Sequence, residues 1–221
     1  MIRRSVKVSF PVAFIFGALC LFTCAHAHAD GPAATLTFRK IFKSSYPEFV
    51  EIKVTESGAG TFDIRQLEDD ANPQPFVIGA PLAHDLFALA AKLHNFDGIS
   101  LDVHRRIANL GQKTFRYEKG TESHEVTFNY TMDPAAAQLL ALFENISSQQ
   151  RDLADLQHAM RFDRLGVNDA LIQIESDYNS KQLPEPERFL PSLDQVASNE
   201  QLINIARDRA RSLASRIRSA H

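Results

Sequence analysis

The chain has 221 residues, of which 44% are hydrophobic and 23% are charged, as is ordinary for a folded globular protein. Its 27 acidic residues outnumber its 24 basic ones, which argues against general binding to nucleic acids or to anionic membrane surfaces. The length is sufficient for one domain, or for one domain with a small appendage.

Residues 1–29 have the pattern of a secretory signal peptide. A basic start precedes an apolar run over 10–25, which is short for a membrane-spanning helix. Small residues at Ala27 and Ala29 predict cleavage after Ala29, with cleavage after Ala27 as the second choice. We therefore expect an exported protein, periplasmic or secreted, without a stable membrane anchor. A retained anchor and a lipoprotein processed at Cys24 are the alternatives.

Export changes both the charge and the thiol content of the chain. Both cysteines, Cys20 and Cys24, lie in the predicted signal peptide, so the mature protein would have neither disulfides nor thiol catalysis. The signal peptide also contains three basic residues and no acidic ones. The mature chain would therefore have 27 acidic and 21 basic residues, a net charge of −6 with histidine neutral.

Short strands are predicted in the first part of the mature chain. The clearest covers Phe49 to Thr55, where Val50, Ile52 and Val54 alternate with polar residues. Three others are predicted over 35–42, 61–66 and 76–78. This series of short, alternating segments favours an antiparallel sheet with one polar face.

A leucine-rich segment predicts the helix that covers this sheet. Large apolar residues recur at steps of four and three, at Leu82, Leu86, Leu89, Leu93 and Phe96. That spacing places them on one face of a helix from Leu82 to Phe96. A hairpin is then predicted around Lys119-Gly120, with Phe115 and Tyr117 facing Val126, Phe128 and Tyr130.

The second half of the chain is predicted to be helical. Asp133-Pro134 has the pattern of an N-cap followed by a first-turn proline, and Gly166 is expected to end that helix. Apolar residues recur at steps of three and four along one face of this helix, and Gln149 is the one polar residue in that series. Further helices are predicted to start near Asn168, Pro191 and Ser198, the last with Gln201 as a capping box.

The predicted fold class is α+β. We expect a four- to six-stranded, mainly antiparallel sheet covered on one face by one helix and followed by a C-terminal helical segment. In domain terms, residues 1–29 form the signal peptide and residues 30–132 the sheet domain. Residues 133–221 form the helical segment, which packs on or beside the sheet.

Sequence motifs identify no active site. Nucleophile elbows, phosphate-binding glycine loops and helical zinc motifs are absent from the sequence. The tightest group of metal-ligating residue types is His94, Asp97, Asp102 and His104. A solvated loop is the favoured interpretation of this group, because the sequence defines no complete ligand set. We assign no catalytic, cofactor-binding or metal-ligating residue, and predict no cofactor.

The last predicted helix is strongly basic. It contains Arg207, Arg209, Arg211, Arg216 and Arg218. Such a helix can meet an acidic partner or an anionic membrane. A solvated face, with positive charges near the helix C-terminus, is the favoured interpretation.

The order of elements from Val50 to Ile146 resembles a known family. A strand, a glycine-bearing turn, a strand, an acidic connector, an apolar helix, a hairpin and a proline-led helix follow one another. The short motifs Gly58-Ala59-Gly60 and His124-Glu125-Val126 occupy matching places. This order is similar to that of emfourin-type protein inhibitors of thermolysin-like metalloproteases. The resemblance implies a similar architecture and transfers no binding residues.

Two functional classes follow. The first is an exported, non-catalytic protein-binding or inhibitor-like protein, whose partner is another protein and which binds no nucleic acid. The alternative is a hydrolase or metal-dependent enzyme whose residues converge only in the folded chain, with His94, Asp102 and His104 as the candidates. The sequence leaves the identity of the partner and the oligomeric state open.

Overall fold

The computed structural model describes residues 32–103 and 106–220, which form a six-stranded antiparallel sheet and five α-helices. The strands are β1 Thr35–Ile41, β2 Phe49–Thr55, β3 Ala59–Arg65, β4 Gln74–Val77, β5 Gln112–Lys119 and β6 Glu122–Phe128. The helices are α1 Ala80–Lys92, α2 Pro134–Phe162, α3 Gly166–Asn179, α4 Leu190–Ser198 and α5 Asn204–Ser219. The predicted α+β class is confirmed.

The sheet has the strand order β4-β3-β2-β1-β5-β6, with every neighbouring pair antiparallel. Phe38 of β1 pairs with Ile52 of β2 and with Phe115 of β5, and all three side chains are fully buried. On the opposite face, Arg39 donates a hydrogen bond to Glu51 at 2.7 Å. One face is therefore core and the other is polar, as alternation along β2 predicts.

Helix α1 covers the apolar face of the sheet. Leu86 and Leu89 are buried in the same cluster as Phe38 and Ile52. Large side chains spaced by three and four residues form a continuous apolar stripe on a helix, and removing that stripe from water drives its packing on the sheet. The predicted role of the leucine-rich segment is confirmed.

The predicted C-terminal end of this helix is wrong. Helix α1 ends at Lys92, and His94, Asn95 and Phe96 follow as a 3₁₀ turn. All three have positive φ, between 50° and 70°, a conformation that cannot continue a right-handed helix. The turn redirects the Phe96 ring into the core, where it stacks on Phe115 with ring centroids 5.5 Å apart.

The β5–β6 hairpin forms where predicted, but its facing pairs differ in part. Phe115 pairs with Val126 as expected, while Tyr117 pairs with His124. Tyr130 lies beyond the end of β6 and is exposed. Side-chain alternation therefore identified the strands but placed the end of the second one too late.

Asn129 explains where β6 ends. Its backbone N–H donates to Asp102 Oδ1 at 3.2 Å, and its side-chain Oδ1 accepts from the backbone N–H of Leu110 at 2.7 Å. Its Nδ2 also donates to the carbonyl of Ala108 at 2.9 Å. These bonds connect the chain after β6 to residues that precede β5. They replace the backbone hydrogen bonds that would extend the pairing of β6 with β5.

Helix α2 connects the sheet to the helical half of the molecule. Asp133 Oδ1 accepts a hydrogen bond from the backbone N–H of Ala136 at 2.9 Å, so the predicted N-cap is confirmed. The first half of α2 contributes four buried residues to the sheet core, Ala136, Leu139, Phe143 and Ile146. The second half contributes Leu156 and Ala159 to a separate cluster formed with α3, α4 and α5.

Gln149 lies between these two clusters and is only 2% exposed. Its Oε1 accepts a hydrogen bond from the backbone N–H of Glu185 at 3.0 Å. A buried amide is tolerated when its polar atoms find hydrogen-bond partners. Gln149 therefore makes a tertiary contact and does not disrupt the apolar face of the helix.

Gly166 begins α3 instead of ending α2, contrary to the sequence prediction. Its backbone N–H donates to Asp163 Oδ1 at 3.0 Å, while Leu165 occupies the N-cap position and Asn168 lies inside the helix. A Cβ atom at residue 166 would collide with the Asp163 carboxylate. A glycine is needed here because the Asp163 side chain lies so close to residue 166. The sequence pattern of a glycine at a helix end does not distinguish this use from a glycine that ends a helix.

The predicted capping box of the last helix is also wrong. Ser198 is the last residue of α4, and its Oγ donates to the carbonyl of Asp194 at 2.9 Å. Helix α5 begins only at Asn204, after a short connection. A serine can satisfy a carbonyl at the end of one helix as readily as an N–H at the start of the next.

Several features predicted above lie outside the described residues. These are the signal peptide over residues 1–29 with both cysteines, and His104 of the group considered as metal ligands. Within residues 32–103 and 106–220, no helix combines the length and the apolar character required to cross a bilayer.

Candidate binding groove

The residues considered as a metal site do not converge in the described part of the chain. His94 is exposed after α1, and Asp97 Oδ1 lies 3.4 Å from Nδ1 of His124. Asp102 Oδ1 accepts the backbone N–H of Asn129, which gives it a structural role. Within residues 32–103 and 106–220, no three His, Cys, Asp or Glu side chains lie close enough to share a metal ion.

We expect the purified protein to carry no stoichiometric zinc, iron or manganese. A catalytic zinc needs three protein ligands and an open position, which the described residues do not supply. Elemental analysis of untagged protein, dialysed without chelator, measures this directly. Near-stoichiometric metal that is lost when His94 and His104 are both changed to alanine would favour the enzyme alternative.

A groove lies on the surface beside α2. Three adjoining pockets form it, with volumes of about 390, 280 and 500 Å³. The central pocket shares residues with each of the other two, so the three are continuous. We name this feature the α2 groove and define it by the shared residues Lys40, Phe42, Tyr46, Pro47, Glu144 and Arg151.

One face of α2 forms the floor of the groove. The lining residues recur at steps of four and three, at Ala137, Ala141, Glu144, Ser148, Arg151 and Asp155. This stripe is distinct from the buried stripe that packs on the sheet. Ala137, Ala141 and Ser148 have small side chains, so space remains between the helix and the end of β1.

An ion pair crosses the groove at the boundary of two pockets. Lys40 Nζ lies 2.8 Å from Glu144 Oε1 and links β1 to α2. Nearby, Lys113 donates to the carbonyls of Leu110, Gly111 and Asn129 at 2.9, 3.2 and 2.8 Å. Burial, followed by the positive charge of Lys40, lowers the pKa of Lys113.

The rim of the groove is aromatic and apolar. Tyr46 is 86% exposed and lines the central pocket. Tyr130 and Leu110 are also exposed and line the pocket on the other side of the ion pair. Exposed aromatic side chains around a concave surface are typical of binding sites.

Arg151 lies at the junction of the central pocket and the pocket toward β3. Among the described residues, its guanidinium has no hydrogen-bond or ion-pair partner. Ser147, Ser148 and Asn145 line the same pocket, as does Gln182. We name these five residues the Arg151 pocket.

A buried carboxyl pair adjoins this pocket. Asp152 and Asp177 are 4% and 6% exposed and share a hydrogen bond. Gln173 Nε2 lies 3.1 Å from each carboxylate oxygen of Asp177 and donates to that group. Burial and the Asp177 carboxylate raise the pKa of Asp152 from 3.8 to about 7.

Most of the positive charges of helix α5 are paired with acidic side chains of the same molecule. Glu175 of α3 pairs with both Arg209 and Arg216, the latter at 2.9 Å. Arg218 pairs with Asp194 of α4 at 2.6 Å. These contacts favour the interpretation of α5 as a solvated face over that of a basic surface for an anionic partner.

Neither the α2 groove nor the buried carboxyl pair was predicted from the sequence. The groove stripe was visible as a second four-three periodicity in α2, offset from the apolar one. The carboxyl pair had no sequence signal, because Asp152 and Asp177 come together only when α3 folds back on α2. Comparison of the chain with protein-family models and with curated proteins finds no match.

Proposed function

We propose that this chain is an exported, non-catalytic protein that binds another protein through the α2 groove. The observation that carries the proposal is Tyr46, a large side chain that is 86% exposed at the rim of a continuous groove. Tyr130 and Leu110 add exposed surface further along. Tyrosine is enriched among the residues that dominate protein–protein binding energy, because it combines a large apolar ring with a polar tip.

Charge supports a protein partner over a nucleic acid. The mature chain would have a net charge of −6, and the arginines of its most basic helix are mostly paired within the molecule. Nucleic-acid binding requires an uncompensated basic surface that can replace counterions on phosphates. Export itself is supported by the signal-like pattern of residues 1–29.

An inhibitor-like role is the more specific form of this proposal. Its support is the emfourin-like order of elements between Val50 and Ile146. An inhibitor needs shape and anchoring side chains but no reacting group of its own, which suits a groove without a cluster of metal ligands among the described residues. The target would then be a secreted enzyme in the same compartment.

Photocrosslinking from Tyr46 tests the proposal. We expect a photoreactive phenylalanine analogue at residue 46 to give a discrete crosslinked species in intact cells that express the full chain. The same analogue at Ile205, an exposed position on α5, is the matched control and should give none. Equal crosslinking from both positions, or none from residue 46, would contradict binding through the groove.

A further inference from the structure

We infer that the Arg151 pocket binds the carboxylate of an aspartate or glutamate side chain within an extended segment of the partner. This inference rests on the proposed function and names the chemistry that its partner must carry. The donors of the pocket, its charge and its place in the middle of the α2 groove support it.

The Arg151 pocket collects hydrogen-bond donors that the protein does not use. The Arg151 guanidinium, the hydroxyls of Ser147 and Ser148, and the amides of Asn145 and Gln182 all line it. Within the described residues, none of these side chains has a hydrogen-bond partner. Ser147 and Ser148 precede Arg151 by four and three residues, so the helix presents all three on one face.

Donors of this kind match a carboxylate. A guanidinium binds a carboxylate through two parallel hydrogen bonds, and hydroxyl or amide groups can donate to the remaining lone pairs. A cation or a neutral apolar group would leave the guanidinium without a partner in a partly enclosed space. The chemistry of the pocket therefore selects for an anion with planar oxygen geometry.

The charge of the central pocket supports the same ligand. Its ionic residues are Lys40, Glu144 and Arg151, and the first two pair with each other at 2.8 Å. Arg151 thus remains as a net positive charge in a pocket of about 390 Å³. Asp69 and Asp155 line the adjoining pocket toward β3, which Arg151 lines as well.

The position of the pocket indicates an internal residue of the partner and not a chain terminus. The α2 groove continues on both sides of the central pocket, from Ala137 to Asp155 along the helix. These residues span about 27 Å at the rise of an α-helix, which matches about eight extended residues. A bound segment can therefore enter and leave the pocket in opposite directions.

The flanking pocket predicts the neighbours of the acidic residue. Leu110, Tyr130 and Leu140 line the pocket beyond the Lys40–Glu144 ion pair. An aliphatic or aromatic side chain of the bound segment would bury apolar surface there. The expected segment therefore has an acidic residue near its centre and a large apolar residue on one side.

Selection from a displayed library of random twelve-residue peptides tests the inference. We expect peptides selected on the folded protein to carry Asp or Glu at one fixed position beside an apolar residue. Arg151→Gln should weaken their binding at least tenfold, because a charge-assisted pair is replaced by a neutral contact. Arg161→Gln removes the same charge from the exposed part of the same helix and should leave binding unchanged.

The outcomes separate this inference from the proposed function. Selected peptides that lack an acidic consensus and bind equally to Arg151→Gln, but are lost with Tyr46→Ala, would refute the inference and leave the groove as a binding site. Failure to select peptides that depend on either residue would count against both. The crosslinking result from residue 46 then decides separately whether the groove binds a partner. Circular dichroism of each variant confirms that folding is retained.

Discussion

Asp152→Asn is expected to raise the free energy of unfolding at pH 8 by about 4 kcal/mol. The native pKa of Asp152 is raised to about 7 from an ordinary value of 3.8, chiefly by burial and then by the Asp177 carboxylate. Each pKa unit corresponds to about 1.36 kcal/mol, so ionising Asp152 in the folded protein costs about 4 kcal/mol more than in the unfolded chain. The asparagine amide can donate to Asp177 without ionising.

The direction of the pKa shift of Asp152 determines the pH range in which stability changes. Because the native pKa is the higher one, the folded protein holds a proton that the unfolded chain has lost between about pH 4 and pH 7. The contribution of this pair to stability is complete below about pH 4 and is lost as the pH rises through 7. Arg151 opposes the shift and Asp155 adds to it, but burial and Asp177 are the larger causes.

Urea unfolding at pH 4, 6 and 8 measures this prediction. The difference in unfolding free energy between Asp152→Asn and the natural chain should be near zero at pH 4 and grow toward pH 8. The contributions of the other titratable groups are the same in both proteins and cancel in this difference. Asp85→Asn, at an exposed position on α1, is the matched control and should show no such growth. A difference that does not depend on pH would mean that Asp152 is ionised throughout.

Phe115→Ala is expected to cost about 3–5 kcal/mol of stability, the range found for large-to-small changes at buried aromatic residues. The Phe115 ring has four aromatic neighbours, with centroid distances between 5.2 and 6.1 Å, namely Phe38, Phe96, Phe128 and Phe143. These neighbours belong to β1, the turn after α1, β6 and α2. One truncation therefore loosens the contact between the sheet and both helices that cover it.

Phe162→Ala provides the matched control for this change. Phe162 ends α2 and is 75% exposed, so the same truncation should alter stability by less than about 0.5 kcal/mol. If Phe115→Ala does not fold, Phe115→Leu reports the same site with a smaller cavity. Equal effects of the changes at residues 115 and 162 would show that the aromatic cluster is not the core.

Local patterns predicted most of the fold because its elements are consistent with their own sequences. The alternation around Ile52 located β2 at its observed ends, and the leucine spacing around Leu89 located the covering helix. Asp133 gave the start of α2 because an N-cap acts within three residues. Such signals depend on neighbours in sequence, which is why sequence alone reveals them.

The errors occur where a residue type fits two local structures and the sequence pattern favours the one that does not form. Gly166 can end a helix or begin one beside a closely packed side chain, and its contact with the Asp163 carboxylate belongs to the second case. Asn129 can continue a strand, but its bonds to Asp102, Ala108 and Leu110 end it. The groove is less predictable still, because β1, the following loop, α2 and Gln182 meet there from distant parts of the chain.

The polar residues in the middle of α2 divide the apolar interior. Gln149, Gln150 and Asp152 are buried between the cluster that α2 shares with the sheet and the cluster that it shares with α3, α4 and α5. Two such clusters along one helix can open as separate cooperative units, each with its own free energy of opening and its own level of amide hydrogen exchange. The α2 groove crosses this division, since Phe38 and Lys40 line the central pocket from one side and Gln182 from the other. A bound partner would therefore slow exchange in both units at once, because it would join two parts of the molecule that can otherwise open separately.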